Sequence, residues 1–262
     1  MIRSLHSAAS GMEAQQLHID VIANNLANVN TTGFKKARAE FQDLFYQEIR
    51  AARRSDTVEA EGSPIPLEVG QGTRPIATQK IFTGGDLLQT QNQLDLAIEG
   101  AGFFRVAMPD GTVAYTRAGA FKLDSDGRIV SIEGRPLDPP ISVPPETTAI
   151  TVEQDGTVKA LQPGDIEPLE VGRIELTQFV NPAGLKSLGH SLYQATSAAG
   201  EPLDGLPGEL GLGVISQGSL EGSNVVVVEE MIELIAAQRA YEINSRVIRA
   251  SDEMLQTTTQ LR

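Results

Sequence analysis

Leu5 to Leu26 reads LHSAASGMEAQQLHIDVIANNL, and its large apolar residues recur at heptad spacing. Leu5, Met12, Ile19 and Leu26 form one row; Ile2, Ala9, Gln16 and Ala23 form the row beside it, weakened only by Gln16. Side chains repeating every 3.5 residues fall along one seam of a helix, the a and d positions of a coiled coil. The helix is expected to stop over Asn28–Gly33, where Asn30, Thr31, Thr32 and Gly33 supply stop chemistry and a left-handed cap.

The far end of the chain repeats the pattern. Val227, Leu234, Tyr241, Ile248 and Leu255 form a heptad row, and Ala240, Val247, Met254 and Leu261 widen the apolar face. Ser223 or Asn224 is placed to cap the start, and Glu229 and Glu230 suit the positive end of the helix dipole. Ala8, Ala9, Ala27, Ala236, Ala237 and Ala240 permit close helix approach. Two such helices, separated by the rest of the chain, pair across it and leave a body on a stalk. The alternative left open by the pattern is that each packs on a globular core of its own.

Between them the period changes. From about Arg74 to Gln217 short alternating runs dominate, such as Leu94–Ile98 and Gly172–Val180, with tight-turn signals at Asp110-Gly111, Asp126-Gly127 and Asp155-Gly156. Pro139-Pro140 and Pro144-Pro145 are expected to mark a rigid boundary inside this region. Gln47–Gln71 is charged and then Gly/Pro-rich, and reads as an extended connector containing Arg53, Arg54, Pro64 and Pro66. Arg50, Arg53 and Arg54 read as a solvated helix end. The expected fold is α+β: N- and C-terminal helices pairing as an α-helical coiled coil, with a β-rich central body. The expected divisions are residues 1–35 (helix), 36–73 (connector), 74–217 (β body) and 218–262 (helix).

Composition narrows the function. The 262 residues carry a formal net charge of −13, which disfavours a nucleic-acid partner. With no cysteine there is no disulfide, thiolate metal site or catalytic thiol. The N-terminus lacks the apolar core and cleavage site of a conventional secretory signal, and no run of about 18 apolar residues is present. Gly100-Ala101-Gly102 imitates a dinucleotide loop, but Arg105 stands at the third glycine and a strand pattern follows. Asp124-Ser125-Asp126-Gly127 imitates a calcium loop, but Arg135 stands where its glutamate belongs, so a hairpin turn is expected. His6, His18 and His190 have no metal-ligand spacing. The chain is therefore read as a structural protein with no cofactor, metal or catalytic residues.

Ser10-Gly11-Met12-Glu13-Ala14-Gln15-Gln16 and Asp20-Val21-Ile22-Ala23-Asn24-Asn25-Leu26-Ala27-Asn28-Val29-Asn30-Thr31-Thr32-Gly33-Phe34-Lys35 resemble the N-terminal signature of the flagellar rod and hook axial proteins. Ala236-Ala237-Gln238-Arg239-Ala240-Tyr241-Glu242-Ile243-Asn244 with Asp252-Glu253-Met254-Leu255 resembles their C-terminal signature. Leu94–Phe104 and Tyr115–Phe121 agree in the middle, so the resemblance covers essentially the whole chain. Chain length, Gln47–Gln71, Val180–Leu185 and Glu229–Glu233 resemble the distal-rod branch; a proximal rod or hook-type member is the alternative.

The resemblance implies a subunit of a helical homopolymer, exported without a cleavable signal by the flagellar type III apparatus. Its helices would line the export channel, and its connector would add lateral contacts that stiffen the rod. The rod would cross the periplasm as a drive shaft, meeting proximal rod proteins, the hook protein or hook-rod junction, and the P- and L-ring bushing. The assembly interface is then expected at Leu5, Met12, Ile19 and Leu26 burying against Leu234, Tyr241, Ile248 and Leu255. Asn24, Asn25 and Asn28 are expected either to pair across subunits, as buried amides fix register, or to lie on a solvated face.

Overall fold

A computed structural model describes residues 2–50, 66–164 and 167–260. The chain divides into two compact units. Unit 1 holds Met1–Leu26, Ala37–Gln79 and Val227–Arg262; unit 2 holds Ala27–Lys36 and Lys80–Val226. Helices at both ends and a β-rich middle make the protein α+β, as the periodicities indicate.

Unit 1 carries the two long helices, α1 (Ile2–Ala27) and α2 (Val227–Gln260). With 26 and 34 residues they run about 39 and 51 Å at about 1.5 Å per residue. Beyond Ala27 the chain turns: the Thr31 amide donates to the Asn28 carbonyl at 3.1 Å, and the Phe34 amide to the Thr31 carbonyl at 3.2 Å. The helical stop therefore falls where the Asn/Thr cluster places it. Gly33 is left-handed, with φ +67°, but it lies well past the last helical residue. What demands glycine there is close approach: a Cβ would stand 2.5 Å from the Ala118 backbone nitrogen. The start of α2 differs from expectation too. Residues 218–226 are not helical, and Ser219–Glu221 is a strand. Asn224 caps nothing; its side chain accepts from the Lys36 amide at 2.7 Å and donates to the Ile81 carbonyl at 2.8 Å.

Unit 1 also contains β1 (Ala37–Asp43), β2 (Tyr46–Arg50), β3 (Leu67–Gly70) and most of β4 (Thr73–Lys80). β1 pairs with β4, and β2 pairs antiparallel with β3. Residues 36–73, expected as an extended connector, thus begin and end in paired strands. Arg50 closes β2 and belongs to no helix, because Tyr46–Arg50 finds a strand partner in Leu67–Gly70. Pro66 is exposed just before β3. Arg53, Arg54 and Pro64 lie outside the described residues.

Unit 2 is built from β5 (Leu87–Gln89), β6 (Leu96–Glu99), β7 (Phe103–Ala107), β8 (Val113–Thr116), β9 (Phe121–Leu123), β10 (Ile129–Ser131), β11 (Ala149–Val152), β12 (Thr157–Leu161), β13 (Leu169–Arg173), β14 (Leu176–Gln178), β15 (Lys186–Gly189), β16 (Leu192–Gln194), β17 (Leu203–Gly205), β18 (Val214–Gln217) and β19 (Ser219–Glu221). Its largest sheet has six strands in the order β15-β16-β8-β7-β14-β17. The three Asp-Gly turns close the hairpins β7–β8, β9–β10 and β11–β12, as the sequence indicates. Two expectations fail. Gly172–Val180 is not one strand: β13 joins the sheet β11-β12-β13 and β14 joins the six-stranded sheet, with Ile174 buried between them. Nor do the proline pairs mark a boundary, because Ile141 and Val143 between them are buried in the main core.

Adjacent residues of β7 show how the core is organised. Strand side chains alternate between faces, so Phe104 enters one cluster with Phe121, Ile129, Leu137 and Leu176. Phe103 enters another with Tyr115, Phe179 and Tyr193. The six-stranded sheet is therefore covered on both faces. Each such buried side chain contributes about 1.5–3 kcal/mol before chain entropy is counted.

Candidate assembly surfaces and a buried charge cluster

Within unit 1, α1 and α2 meet through small and polar residues. The Asn25 side-chain amide donates to Glu230 Oε2 at 3.0 Å, and His18 Nε2 lies 3.8 Å from Glu233 Oε2. Gly11 lies so close to Asn244 that a Cβ would come within 2.8 Å of its Nδ2. As residue numbers rise on α1 they fall on α2, so the helices run antiparallel. Gly11, His18 and Asn25 are seven apart, as are Glu230, Ala237, Asn244 and Ser251. Ala8, Ala14, Ile22, Asn25, Glu230, Ala237 and Ser251 are buried.

The rows chosen by side-chain size lie beside this contact. Leu5, Met12, Ile19, Leu26, Leu234, Ile248 and Leu255 are half-buried within the chain, while Val227 and Tyr241 are exposed. Close backbone approach selects glycine, alanine and serine for the contact and leaves the bulky residues flanking it. Asn25 departs furthest from expectation. Its amide nitrogen also donates to the Ala37 carbonyl, and its Oδ1 accepts from the Ala37 amide, each at 2.9 Å. It clamps the end of α1 to β1 and to the first turn of α2, within one chain. Asn24 is exposed and Asn28 half-buried; the latter accepts from the Thr31 hydroxyl at 3.2 Å.

Much apolar surface remains uncovered. On α2, Val228, Ile232, Ile235, Ile243, Val247 and Met254 are exposed. At 3.6 residues per turn Val228, Ile232 and Ile235 lie on the side opposite Glu230 and Ala237, whereas Ile243 stands to the side and Val247 and Met254 flank Asn244 and Ser251. On the β ribbon, β2 and β3 are exposed along their whole length, and Phe45, just before β2, is 91% exposed. Among the described residues no helix is long and apolar enough to cross a membrane, and no cluster of three His, Cys, Asp or Glu is placed to hold a metal.

Unit 2 contains an ionic cluster that sequence reasoning missed. Lys35 is 0% exposed, Glu221 2% and Arg117 4%. Lys35 Nζ donates to Glu221 Oε1 at 2.5 Å and to the Thr83 carbonyl at 2.6 Å. Arg117 Nε lies 3.2 Å from Glu221 Oε2 in an ion-pair contact without hydrogen-bond geometry. The other guanidinium nitrogens donate to the Gly102 and Gly100 carbonyls at 2.9 and 2.8 Å. This explains the glycine pair that imitates a dinucleotide loop: its backbone oxygens receive an arginine. Burial pushes the Lys35 ammonium below its usual range, and the Glu221 carboxylate opposes that shift. Burial likewise lowers Arg117, again against Glu221. The only sequence signal was that Lys35 and Arg117 fall inside the family-like motifs.

Three family descriptions match separate parts of the chain: Flagella basal body rod protein over residues 5–35, Flagellar hook protein FlgE/F/G D1 domain over 97–160, and Flagellar basal body rod FlgEFG protein C-terminal over 216–261. The chain is 48% identical over 266 residues to the flagellar basal-body rod protein FlgG of Borreliella burgdorferi, covering 100% of this chain and 99% of that one. It is 46% identical over 261 residues to FlgG of Buchnera aphidicola subsp. Schizaphis graminum, covering 100% of each. To FlgG of Caulobacter vibrioides it is 44% identical over 261 residues, again covering 100% of each.

Proposed function

The chain belongs to the FlgG family of flagellar basal-body rod proteins, structural subunits of the distal rod, and from that premise we propose that α1 and α2 associate as an α-helical coiled coil whose outer faces are covered by neighbouring copies in a helical polymer. The observation that carries this is the second apolar face of α2. A helix apolar on two sides needs partners on both. α1 serves one side, and Val228, Ile232 and Ile235 face away from it. The rows Leu5, Met12, Ile19, Leu26 and Leu234, Tyr241, Ile248, Leu255, half-buried but for the exposed Tyr241, flank the contact and are completed by other copies.

The β ribbon takes the second set of contacts. An isolated two-stranded ribbon is marginal in water, and this one exposes Tyr46, Ile49, Leu67 and Val69. Packing on neighbours covers them and makes the polymer stiff. In this reading the helices line the export channel, and the rod crosses the periplasm as a torque-bearing shaft. Its partners are proximal rod proteins, the hook protein or hook-rod junction, the P- and L-ring bushing, and the type III export apparatus that delivers each subunit without a cleavable signal.

The test is electron microscopy of purified protein at rising concentration. Wild type should give tubes of uniform diameter. Ile232→Asp should give none while unit 2 melts unchanged, since an unpaired carboxylate in an apolar interface costs several kcal/mol. Tubes from Ile232→Asp, or wild type that stays monomeric throughout, would overturn the reading.

A further inference from the structure

Three stretches of unit 2 that are far apart in sequence are sewn together around the buried charges. The Gly33 amide donates to the Glu221 carbonyl at 2.8 Å, and the Lys36 amide to Asn224 Oδ1 at 2.7 Å. The Ile81 amide donates to the Lys36 carbonyl at 2.9 Å. Asn224 Nδ2 returns to the Ile81 carbonyl at 2.8 Å and to the Thr83 hydroxyl at 3.0 Å. The Gly85 amide reaches Glu221 Oε1 at 3.1 Å, and the Gly222 amide reaches the Asp86 carbonyl at 2.8 Å. Residues 33–36 follow α1, residues 81–86 follow β4, and residues 221–224 precede α2.

We propose that Lys35, Glu221 and Arg117 form a charge lock that closes residues 33–36 and 81–86 onto 221–224 in the single chain, so that the segments flanking both helices are fixed before any neighbouring copy is met. The physical argument is one of compensation. Two cations and one carboxylate taken out of water cannot be left incomplete: removing the shared anion strands both cations. The lock therefore closes as a unit or stays open. Its members are supplied by separate parts of the chain, with Lys35 in the segment 5–35, Arg117 in 97–160 and Glu221 in 216–261. Closure thus requires the β body to be formed and the segments flanking both helices to be seated. Every bond in it is internal to unit 2, and none calls on another subunit. The inference goes beyond the polymer reading and does not depend on it.

The experiment is amide hydrogen exchange on the full chain at concentrations where it is monomeric. Amides of Gly33, Lys36 and Ile81 should exchange at least about 100-fold more slowly than exposed amides, as groups in a cooperative unit do. Glu221→Gln should accelerate those three at least about tenfold, while the core amide of Leu137, bonded to the Ile129 carbonyl at 3.1 Å, keeps its protection. Asn224→Ala is the milder variant, which removes the acceptor of the Lys36 amide and the donor to Ile81 and Thr83 and spares the charges. It should open Lys36 and leave Gly33 protected, and this decides the matter if Glu221→Gln does not fold. Free exchange at Gly33, Lys36 and Ile81 in the wild-type monomer would overturn the lock. So would unchanged protection in Glu221→Gln, joint loss of Leu137 in a folded Glu221→Gln, or loss of Gly33 together with Lys36 in Asn224→Ala.

Discussion

Tyr193 packs edge-on against Phe82 and Phe103, with ring centroids 5.1 and 6.1 Å away. Burial, then the nearby Glu221 carboxylate, pushes its hydroxyl up to about 12, with Arg117 pulling the other way. An unfolded tyrosine titrates near 10. Between roughly pH 10 and 12 the unfolded chain therefore sheds this proton while the folded chain keeps it, and stability falls as pH rises. A shift of about two units is worth on the order of 2–3 kcal/mol. Tyr193→Phe should flatten the decline of melting temperature across that window, measured beside tyrosinate absorbance; an unaltered slope would remove Tyr193 as its source. Gly119 gives a second prediction. A Cβ there would sit 1.6 Å from the Leu96 carbonyl oxygen, backbone against backbone, so nothing flexible can yield. Gly119→Ala should destabilise by about 3 kcal/mol or more in denaturant unfolding. At this scale the sequence was least legible. Lys35, Arg117 and Glu221 carry charges, and charge patterning assigns such residues to the surface unless the fold brings their partners to them. Asn25 read either as an amide waiting for another subunit or as part of a solvated face, because nothing local shows that Ala37 will return beside it.

Elements were far easier to read. The heptad rows place both helices, the Asn/Thr cluster places the end of α1, and three Asp-Gly turns place three hairpins, because each depends on chemistry within a few residues. Which helical row makes the contact was not legible. Hydrophobic period finds a face, whereas the distance of closest approach selects glycine, alanine and serine within it. The break between β13 and β14 was hidden for a similar reason: alternation continues through Ile174, and only sheet membership changes. The β ribbon shows what the connector does to its neighbours in sequence, since Tyr46–Arg50 and Leu67–Gly70 meet in register. Deleting Ser55 to Pro66 shortens the segment joining those strands, and its charged, Gly/Pro-rich composition cannot build a core. Calorimetry of the monomer should find the main transition nearly unchanged. Microscopy of isolated basal bodies should find rods that are curved, polymorphic or of altered length. Straight rods of normal length would make the connector passive, and a lost transition would assign it to the subunit's own core.

At the scale of the whole molecule, division into two units was not legible, because the units are interleaved along the chain. Unit 1 takes the two ends and residues 37–79, and unit 2 takes a short early segment and the long middle. A contiguous scheme of helix, connector, body and helix assigns Ala27–Lys36 to the helix and the connector, although Lys35 is among the most deeply buried side chains of unit 2. The tie between residues 33–36 and 221–224 also has a mechanical meaning. Tension applied between the two ends of the chain reaches that tie before it reaches any strand from β5 to β18. The tie is a short circuit for force: load that passes the direct contact of α1 with α2 crosses between the segments beyond them through a few hydrogen bonds and one ion cluster. The six-stranded sheet lies off this path and is joined to it through Arg117, which follows β8. A shaft protein so arranged can be pulled through its ends along a path much shorter than its folded chain.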